Sequence, residues 1–141
     1  MKDHLIRWFM ALNTFLIRAS GGRIGTRLGS QNILLLHNVG RKSGKNFVTP
    51  IAYFYLDDFY FVVASNWGKP VQAAWFHNLL AVPRTIIEIK GKPVRVVAQE
   101  ALDGEYDRLW KYAVEQHPQY LAYQKMTSRR IPIIVFKPLK D

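Results

Sequence analysis

The hydrophobic pattern of the first 20 residues is that of an amphipathic helix. Between residues 4 and 19 apolar side chains recur every three or four positions, which places them on one face of a helix. Ser20-Gly21-Gly22 follows and ends the pattern. We predict a helix over residues 1–20 and one domain over residues 21–141. The apolar stripe consists of Leu5, Trp8, Phe9, Leu12, Phe15 and Leu16.

From residue 32 the pattern changes to short apolar or alternating runs separated by turn residues, which is typical of β-strands. The connections are tight, so neighbouring strands should pair antiparallel. The last run is continuously apolar, which predicts a strand buried on both faces. Six strands are predicted, at residues 33–39, 47–55, 59–65, 86–90, 94–98 and 131–136.

Three further segments have helical patterns. A short helix is predicted over residues 70–81, and a long one over residues 103–116 with Asp103 as its N-cap. Pro118 restarts a helical turn that continues over residues 120–125. Six strands with helices at the start, middle and end predict an α+β domain, a mainly antiparallel and closed or nearly closed barrel with flanking helices.

The composition of the chain indicates a negatively charged partner. The 141 residues are 49% hydrophobic and 21% charged, which is typical of one folded domain. The net charge is +10, and eight of the 20 cationic residues but only one acidic residue lie in the first 50 positions. Nucleic acid, an anionic membrane surface, or a small molecule with phosphates or carboxylates would each fit.

Several classes of protein are excluded by the same counts. The chain has no cysteine, which excludes disulfides, thiolate metal sites and cysteine nucleophiles. The four histidines are scattered, so we expect no metal site. No cleavage site follows the N-terminal segment, and no apolar run approaches the roughly 20 residues that cross a bilayer. We expect a cytoplasmic protein.

The segment whose residues are most typical of a binding site is a basic turn between the first two predicted strands. Gly40 and Gly44 enclose Arg41, Lys42 and Ser43, so backbone N–H groups, two cations and a hydroxyl could converge on an anion. A solvated basic hairpin is the alternative. The glycine spacing does not match a Walker A loop.

Two more segments carry candidate binding residues. Ser65 and Asn66 end a strand before a short helix, where they could bind a heterocycle or phosphate, or simply cap the helix. On that helix, Trp75 and His77 are more typical of core and structural positions. Tyr120 and Tyr123 share a helix face and could clamp a flat ring, or lie at the edge of the core.

Read in order, these motifs resemble the deazaflavin-dependent nitroreductases, also called F420H2-dependent quinone reductases. The resemblance runs from about residue 21 to residue 138. It rests on separated motifs in the family's order: Leu34-Leu-Leu, Gly40-Arg-Lys-Ser-Gly44, Thr49-Pro50, Val63-Ala-Ser65, Ala74-Trp-Phe-His-Asn-Leu79, Pro118-Gln-Tyr, Tyr123-Gln and Arg130-Ile-Pro-Ile-Ile-Val. It implies a split β-barrel like that of FMN-binding proteins, and hydride transfer from reduced coenzyme F420 to a quinone, nitro or other electron-poor acceptor.

The resemblance also implies roles for single residues. Arg41, Lys42 and Ser43 would meet the phosphodiester and polyglutamate tail of coenzyme F420. Tyr120 and Tyr123 would stack on the acceptor, and Tyr120 or Ser65 would assist the proton that follows the hydride. The residues expected to flank the deazaflavin ring are Phe47, Val48, Thr49, Pro50, Val63, Ala64, Ser65, Asn66, Ala74, Trp75, Phe76, His77, Asn78 and Tyr120.

Three departures from the family pattern leave alternatives open. Phe47 stands where relatives carry an arginine, Asn66-Trp67 where they carry Lys-Gly, and His117 where they carry a tyrosine. An FMN-binding protein or FMN-dependent reductase on the same barrel is therefore the alternative. A nucleic-acid-binding barrel is disfavoured because the cations are concentrated near the N-terminus. The N-terminal helix could lie on the inner face of the cell membrane, cover the barrel mouth or form a homodimer interface.

Overall fold

The computed structural model describes residues 27–28 and 31–140. It contains seven strands and three helices within those ranges. The strands are β1 (Arg27–Leu28), β2 (Gln31–Val39), β3 (Asn46–Leu56), β4 (Phe59–Val63), β5 (Arg84–Ile89), β6 (Lys92–Glu100) and β7 (Ile133–Pro138). The helices are α1 (Ala74–Ala81), α2 (Asp103–Gln116) and α3 (Gln119–Lys125), with a 3₁₀ turn at Asn66–Gly68 before α1.

Strands β2 to β7 form a closed antiparallel barrel. Their order is β2-β3-β4-β7-β6-β5, and β5 pairs back onto β2 through Leu35 with Glu88 and Leu36 with Ile87. The short strand β1 extends the sheet beyond β2. The predicted six-stranded, mainly antiparallel α+β barrel is confirmed, and β1 is a strand that the pattern did not indicate.

The barrel is split beside the first part of β3. Residues 46–53 of β3 pair with β2, whereas only Phe54, Tyr55 and Leu56 pair with β4. One edge of β3 therefore lacks a β4 partner over most of the strand. Pro50, which has no N–H to donate, lies in this half-paired part of the strand, where proline is tolerated.

Two apolar clusters cover the two faces of the barrel wall. Alternate residues of β4 and β7 point to opposite faces, so Val62 and Ile134 belong to one cluster and Phe61 and Val135 to the other. The first cluster includes residues of α1, and the second is covered by α2 and α3. Residues 131–136 are all buried, which confirms the prediction of a strand buried on both faces.

The structure corrects two details at helix ends. The segment predicted to begin at residue 70 becomes helical only at Ala74, because Ala73 has an extended backbone. Asp103 is not an N-cap: Leu102 holds that position without a side-chain bond, and Asp103 is the first residue of α2 with φ +53°. The predicted N-terminal helix lies outside the described residues. Within the described ranges no helix is long and apolar enough to span a membrane.

Candidate functional site

A cleft of about 590 Å³ lies where the barrel is split. One wall is the first half of β3, and the other is formed by the segment after β4, the start of α1 and the start of α3. The volume is in the range of pockets that hold a cofactor or drug-sized ligand. Its lining is mostly apolar and aromatic, and Lys69 is its one cationic residue among those described.

Most of the predicted site residues line this cleft, although they come from five elements: β3, β4, the 3₁₀ turn, α1 and α3. The predicted residues in its walls are Phe47, Val48, Thr49, Pro50, Val63, Ser65, Asn66, Ala74, Trp75, Asn78, Tyr120 and Tyr123. The other predicted residues do not line it. Ala64 and Phe76 belong to the apolar cluster that contains Val62 and Ile134, and His77 contacts Phe76. Arg41, Lys42 and Ser43 are exposed on the neighbouring turn.

The basic turn is closed by its own backbone. Gly40 N–H donates to Lys45 O at 2.8 Å, and Gly44 N–H donates to Gly40 O at 2.8 Å. Gly44 has φ +70°, a conformation that side chains disfavour. A Cβ on Gly40 would lie 2.5 Å from Ser43 Oγ, so the exposed Ser43 side chain would have to rotate to admit a larger residue.

A relay of side-chain amides connects the basic turn with the cleft. The backbone N–H and Nη1 of Arg41 donate to Asn78 Oδ1 at 3.1 and 3.3 Å. Asn78 Nδ2 donates to Asn38 Oδ1 at 2.8 Å, and Asn38 Nδ2 donates to Thr49 Oγ1 at 3.2 Å. Both asparagines are 4% exposed. Buried amides require such partners, so the relay fixes the turn against the cleft wall.

The lip of the cleft after β4 has a strained backbone. Asn66 and Trp67 have φ +47° and +60°, and such conformations are outliers for a residue as bulky as tryptophan. Arg129 holds both ends of this turn, since its guanidinium donates to Ser65 O at 2.8 Å and to Lys69 O at 3.0 Å. Burial lowers the pKa of Arg129. Strain of this kind persists where surrounding contacts fix it, often at ligand sites.

Three aromatic rings follow one another from the lip into the cleft wall. The Trp67 ring centroid is 6.4 Å from that of Tyr123, and Tyr123 is 6.1 Å from Tyr120, both edge-on. Tyr120 is buried, and its hydroxyl accepts a hydrogen bond from Gln31 Nε2 at 2.8 Å. Burial raises the pKa of Tyr120 to about 12, with a smaller raising effect from Tyr123 and a lowering one from the Gln31 bond. The phenol is therefore protonated at neutral pH.

Sequence reasoning missed several polar residues of this region. Asn38 is not among the predicted site residues, although an amide near the end of an apolar strand is a signal of a buried polar contact. Gln31, Gln72 and Arg129 were not singled out, and nothing in their local sequence distinguishes them from surface residues. No group of three or more potential metal ligands occurs among residues 31–140.

Comparisons with known proteins agree on one family. A family model described as F420H(2)-dependent quinone reductase matches residues 9–138. The chain is 35% identical over 139 residues to an F420H(2)-dependent quinone reductase of Mycobacterium tuberculosis strain H37Rv, an alignment that covers 96% of this chain and 93% of the relative.

Solved structures have a similar fold. The fold is similar to an F420-H2 dependent reductase named FDR-A, with a TM-score of 0.68, 33% identity, and coverage of 74% of this chain and 93% of that one. A chain described as a domain-swapped dimer has a TM-score of 0.71 at 28% identity and covers 97% of this chain. The chain belongs to the F420H(2)-dependent quinone reductase family.

Proposed function

We propose that the cleft at the split of the barrel binds coenzyme F420 and a quinone side by side, and that the chain is an F420H2-dependent quinone reductase. The observation that carries the proposal is the adjacency of an apolar, ring-sized cleft and a cationic turn, joined through buried Asn38 and Asn78. When bound, reduced coenzyme F420 supplies the hydride. The chain has to hold donor and acceptor in register and keep water away.

The residues present fit this cofactor. A flat deazaflavin ring requires an apolar slot, and the cleft walls from β3 and from Ala74 and Trp75 supply one. The cofactor also carries a phosphodiester and a glutamate tail, which the exposed cations of Arg41 and Lys42 would attract. Ser43 Oγ accepts a bond from Lys45 N–H at 3.2 Å, which orients the hydroxyl within the turn.

We assign the quinone to the part of the cleft that Tyr120 and Tyr123 line. Reduction of a quinone to a hydroquinone adds one hydride and one proton, so the oxygen that gains negative charge needs a hydrogen-bond donor. We assign that role to Tyr120, whose raised pKa keeps the phenol protonated, and to Ser65 at the strand end. Tyr123 would stack on the quinone ring beside Trp67.

The experiment is a titration of the purified protein with coenzyme F420, FMN, FAD and NADPH. Tight binding of F420 and turnover of a quinone with F420H2 are expected. The variant Arg41→Ala with Lys42→Ala should lose about tenfold or more in F420 affinity, and its affinity should depend less on salt. Its urea-unfolding midpoint should change little because both side chains are exposed.

The matched control removes the same two charges elsewhere. Arg84 and Lys92 are exposed and lie outside the cleft lining, so Arg84→Ala with Lys92→Ala should leave F420 affinity within about twofold of wild type. Equal losses in both double variants would mean that net charge, and not the basic turn, attracts the cofactor. Failure to bind F420 combined with tight binding of FMN would overturn the proposal.

A second candidate is an FMN-dependent reductase on the same barrel. The observation that favours it is the single cation, Lys69, in the described cleft lining, since a cofactor with a shorter anionic chain needs fewer cations. The absorbance of the protein as purified distinguishes the two. A yellow protein with a flavin spectrum supports FMN, and a colourless one that binds added F420 supports the first proposal.

Three finer proposals accompany the main one. A nitro compound could replace the quinone, because both accept a hydride on a flat, electron-poor ring. A homodimer is supported by the solved relative described as a domain-swapped dimer, and light scattering in solution tests it. A membrane-surface role for residues 1–20 is tested by vesicle flotation with and without residues 1–19, and equal flotation of both forms would reject it.

A further inference from the structure

Gln72 has a hydrogen-bond acceptor that the described residues leave without a partner. The residue lies between the 3₁₀ turn and α1 and lines the cleft. Its Oε1 is buried and has no hydrogen-bond partner within the part of the chain that the structure describes. Buried polar side-chain atoms are nearly always paired, and an unpaired acceptor destabilises the fold. A bound ligand, outside the described residues, would account for it.

The backbone around Gln72 is fixed by neighbouring contacts. Asn66 Nδ2 donates to the carbonyl oxygen of Val71 at 2.8 Å, immediately before Gln72. Arg129 Nε donates to Lys69 O at 3.0 Å, three residues earlier. Both contacts restrain the main chain of this segment and keep Gln72 in the cleft wall. Because Oε1 is buried, only the side chain has to rotate for this acceptor to meet a ligand donor in the cleft.

We infer that Gln72 is a cofactor-binding residue whose Oε1 accepts a hydrogen bond from the imide N–H of the bound flavin-type ring. The inference rests on the proposed function. Flavin and deazaflavin rings carry one imide N–H between two carbonyls, so an amide side chain complements that edge. Its Oε1 accepts from the N–H, and its Nε2 can donate to an adjacent carbonyl.

The test combines a protein variant with a ligand variant. The probes are a deazariboflavin that carries the imide N–H and the same compound methylated on that nitrogen. Gln72→Met keeps the length of the side chain and removes the acceptor. For wild-type protein, methylation should weaken binding about tenfold. Gln72→Met should bind the unmethylated probe about tenfold more weakly than wild type does and should be insensitive to methylation.

A stability measurement distinguishes a role of Gln72 in cofactor binding from a role in stabilising the fold. Because no residue in the described part of the chain pairs with the acceptor, Gln72→Met should keep or raise the melting temperature while cofactor affinity falls. A lower melting temperature with unchanged affinity would assign Gln72 a structural role and overturn the inference. Gln99→Met is the control, since Gln99 is exposed on β6 outside the cleft lining and should change neither measurement.

The outcomes distinguish this inference from the proposed function. If wild-type protein binds F420 and Gln72→Met binds it equally well, the inference fails and the proposed function stands. If wild-type protein binds FMN but not F420, the proposed function fails, and the same cycle can be measured with FMN and its methylated form. Equal sensitivity to methylation in wild type and Gln72→Met would overturn the inference with either cofactor.

Discussion

Replacement of Asn78 by leucine should destabilise the protein and weaken cofactor binding together. Asn78 is 4% exposed and makes three hydrogen bonds, two accepted from Arg41 and one donated to Asn38 Oδ1. In Asn78→Leu the Arg41 groups can bond to water because Arg41 is exposed. Asn38 Oδ1 cannot, since Asn38 is also 4% exposed.

The magnitude follows from these contacts. A buried acceptor left without a partner costs about 1–3 kcal/mol, and the lost amide–amide bond adds about 1 kcal/mol. Leucine keeps the branching of asparagine but is larger, so overpacking at this buried position adds to the loss and no cavity forms. We expect Asn78→Leu to lower the free energy of unfolding by about 2–4 kcal/mol, measured by urea denaturation with tryptophan fluorescence. F420 affinity should fall because Arg41 loses the contact that orients it.

A double-mutant cycle isolates the amide pair. Asn38→Leu alone should also destabilise the protein, because Asn78 Nδ2 then loses its partner. Asn38→Leu with Asn78→Leu removes both polar groups, so its loss should be smaller than the sum of the single losses by about 1–2 kcal/mol. Additive losses would show that the pair is not coupled. A change below about 0.5 kcal/mol in Asn78→Leu would refute the reasoning for the relay as a whole.

Two further predictions concern alkaline stability and the basic turn. Because burial raises the pKa of Tyr120 from 10.0 to about 12, the unfolded chain loses this proton first, so stability is full below pH 10 and is lost as pH rises towards 12. Tyr120→Phe should reduce that loss by about 1.4 kcal/mol between pH 8 and pH 11 in urea denaturation, and an unchanged pH dependence would contradict this assignment. Gly44→Ala places a side chain at φ +70° in open space and should cost about 1 kcal/mol. Gly40→Ala would bring its Cβ within 2.5 Å of Ser43 Oγ, but Ser43 is exposed and can rotate away, so this variant should cost less than Gly44→Ala, and a larger thermal shift in Gly40→Ala would contradict this reasoning.

The barrel itself follows from local patterns in the sequence. Alternation of apolar residues and short turns are sufficient to place six strands, because each strand buries one or both faces in a continuous core. The burial of Ile133 and Ile134 on opposite faces of β7 is an example, since an uninterrupted apolar run has no other stable position. The Asp103 prediction failed because helix capping depends on backbone angles that side-chain preference does not determine.

The polar part of the site could not be predicted in the same way. Arg129 bonds to Ser65, 64 residues away, and Asn78 bonds to Asn38, 40 residues away. Such pairs depend on tertiary contacts, and no local spacing encodes them. The resemblance to a family indicated many of the cleft residues, but it gave no reason to select Gln72, whose unpaired Oε1 is visible only in the folded chain.

The position of the cleft depends on where β4 separates from β3. Residues 59–61 of β4 pair with β3, whereas β4 continues to Val63 paired only with β7. The predicted strand over residues 59–65, if it paired with β3 along its whole length, would narrow the split. After Val63 the chain leaves the strand: Ala64 N–H bonds to Pro132 O at 2.8 Å, and Ser65 N–H turns back to Val63 O at 2.9 Å. The early separation of β4 from β3 therefore creates the cleft, and the segment that begins at Ser65 lines it.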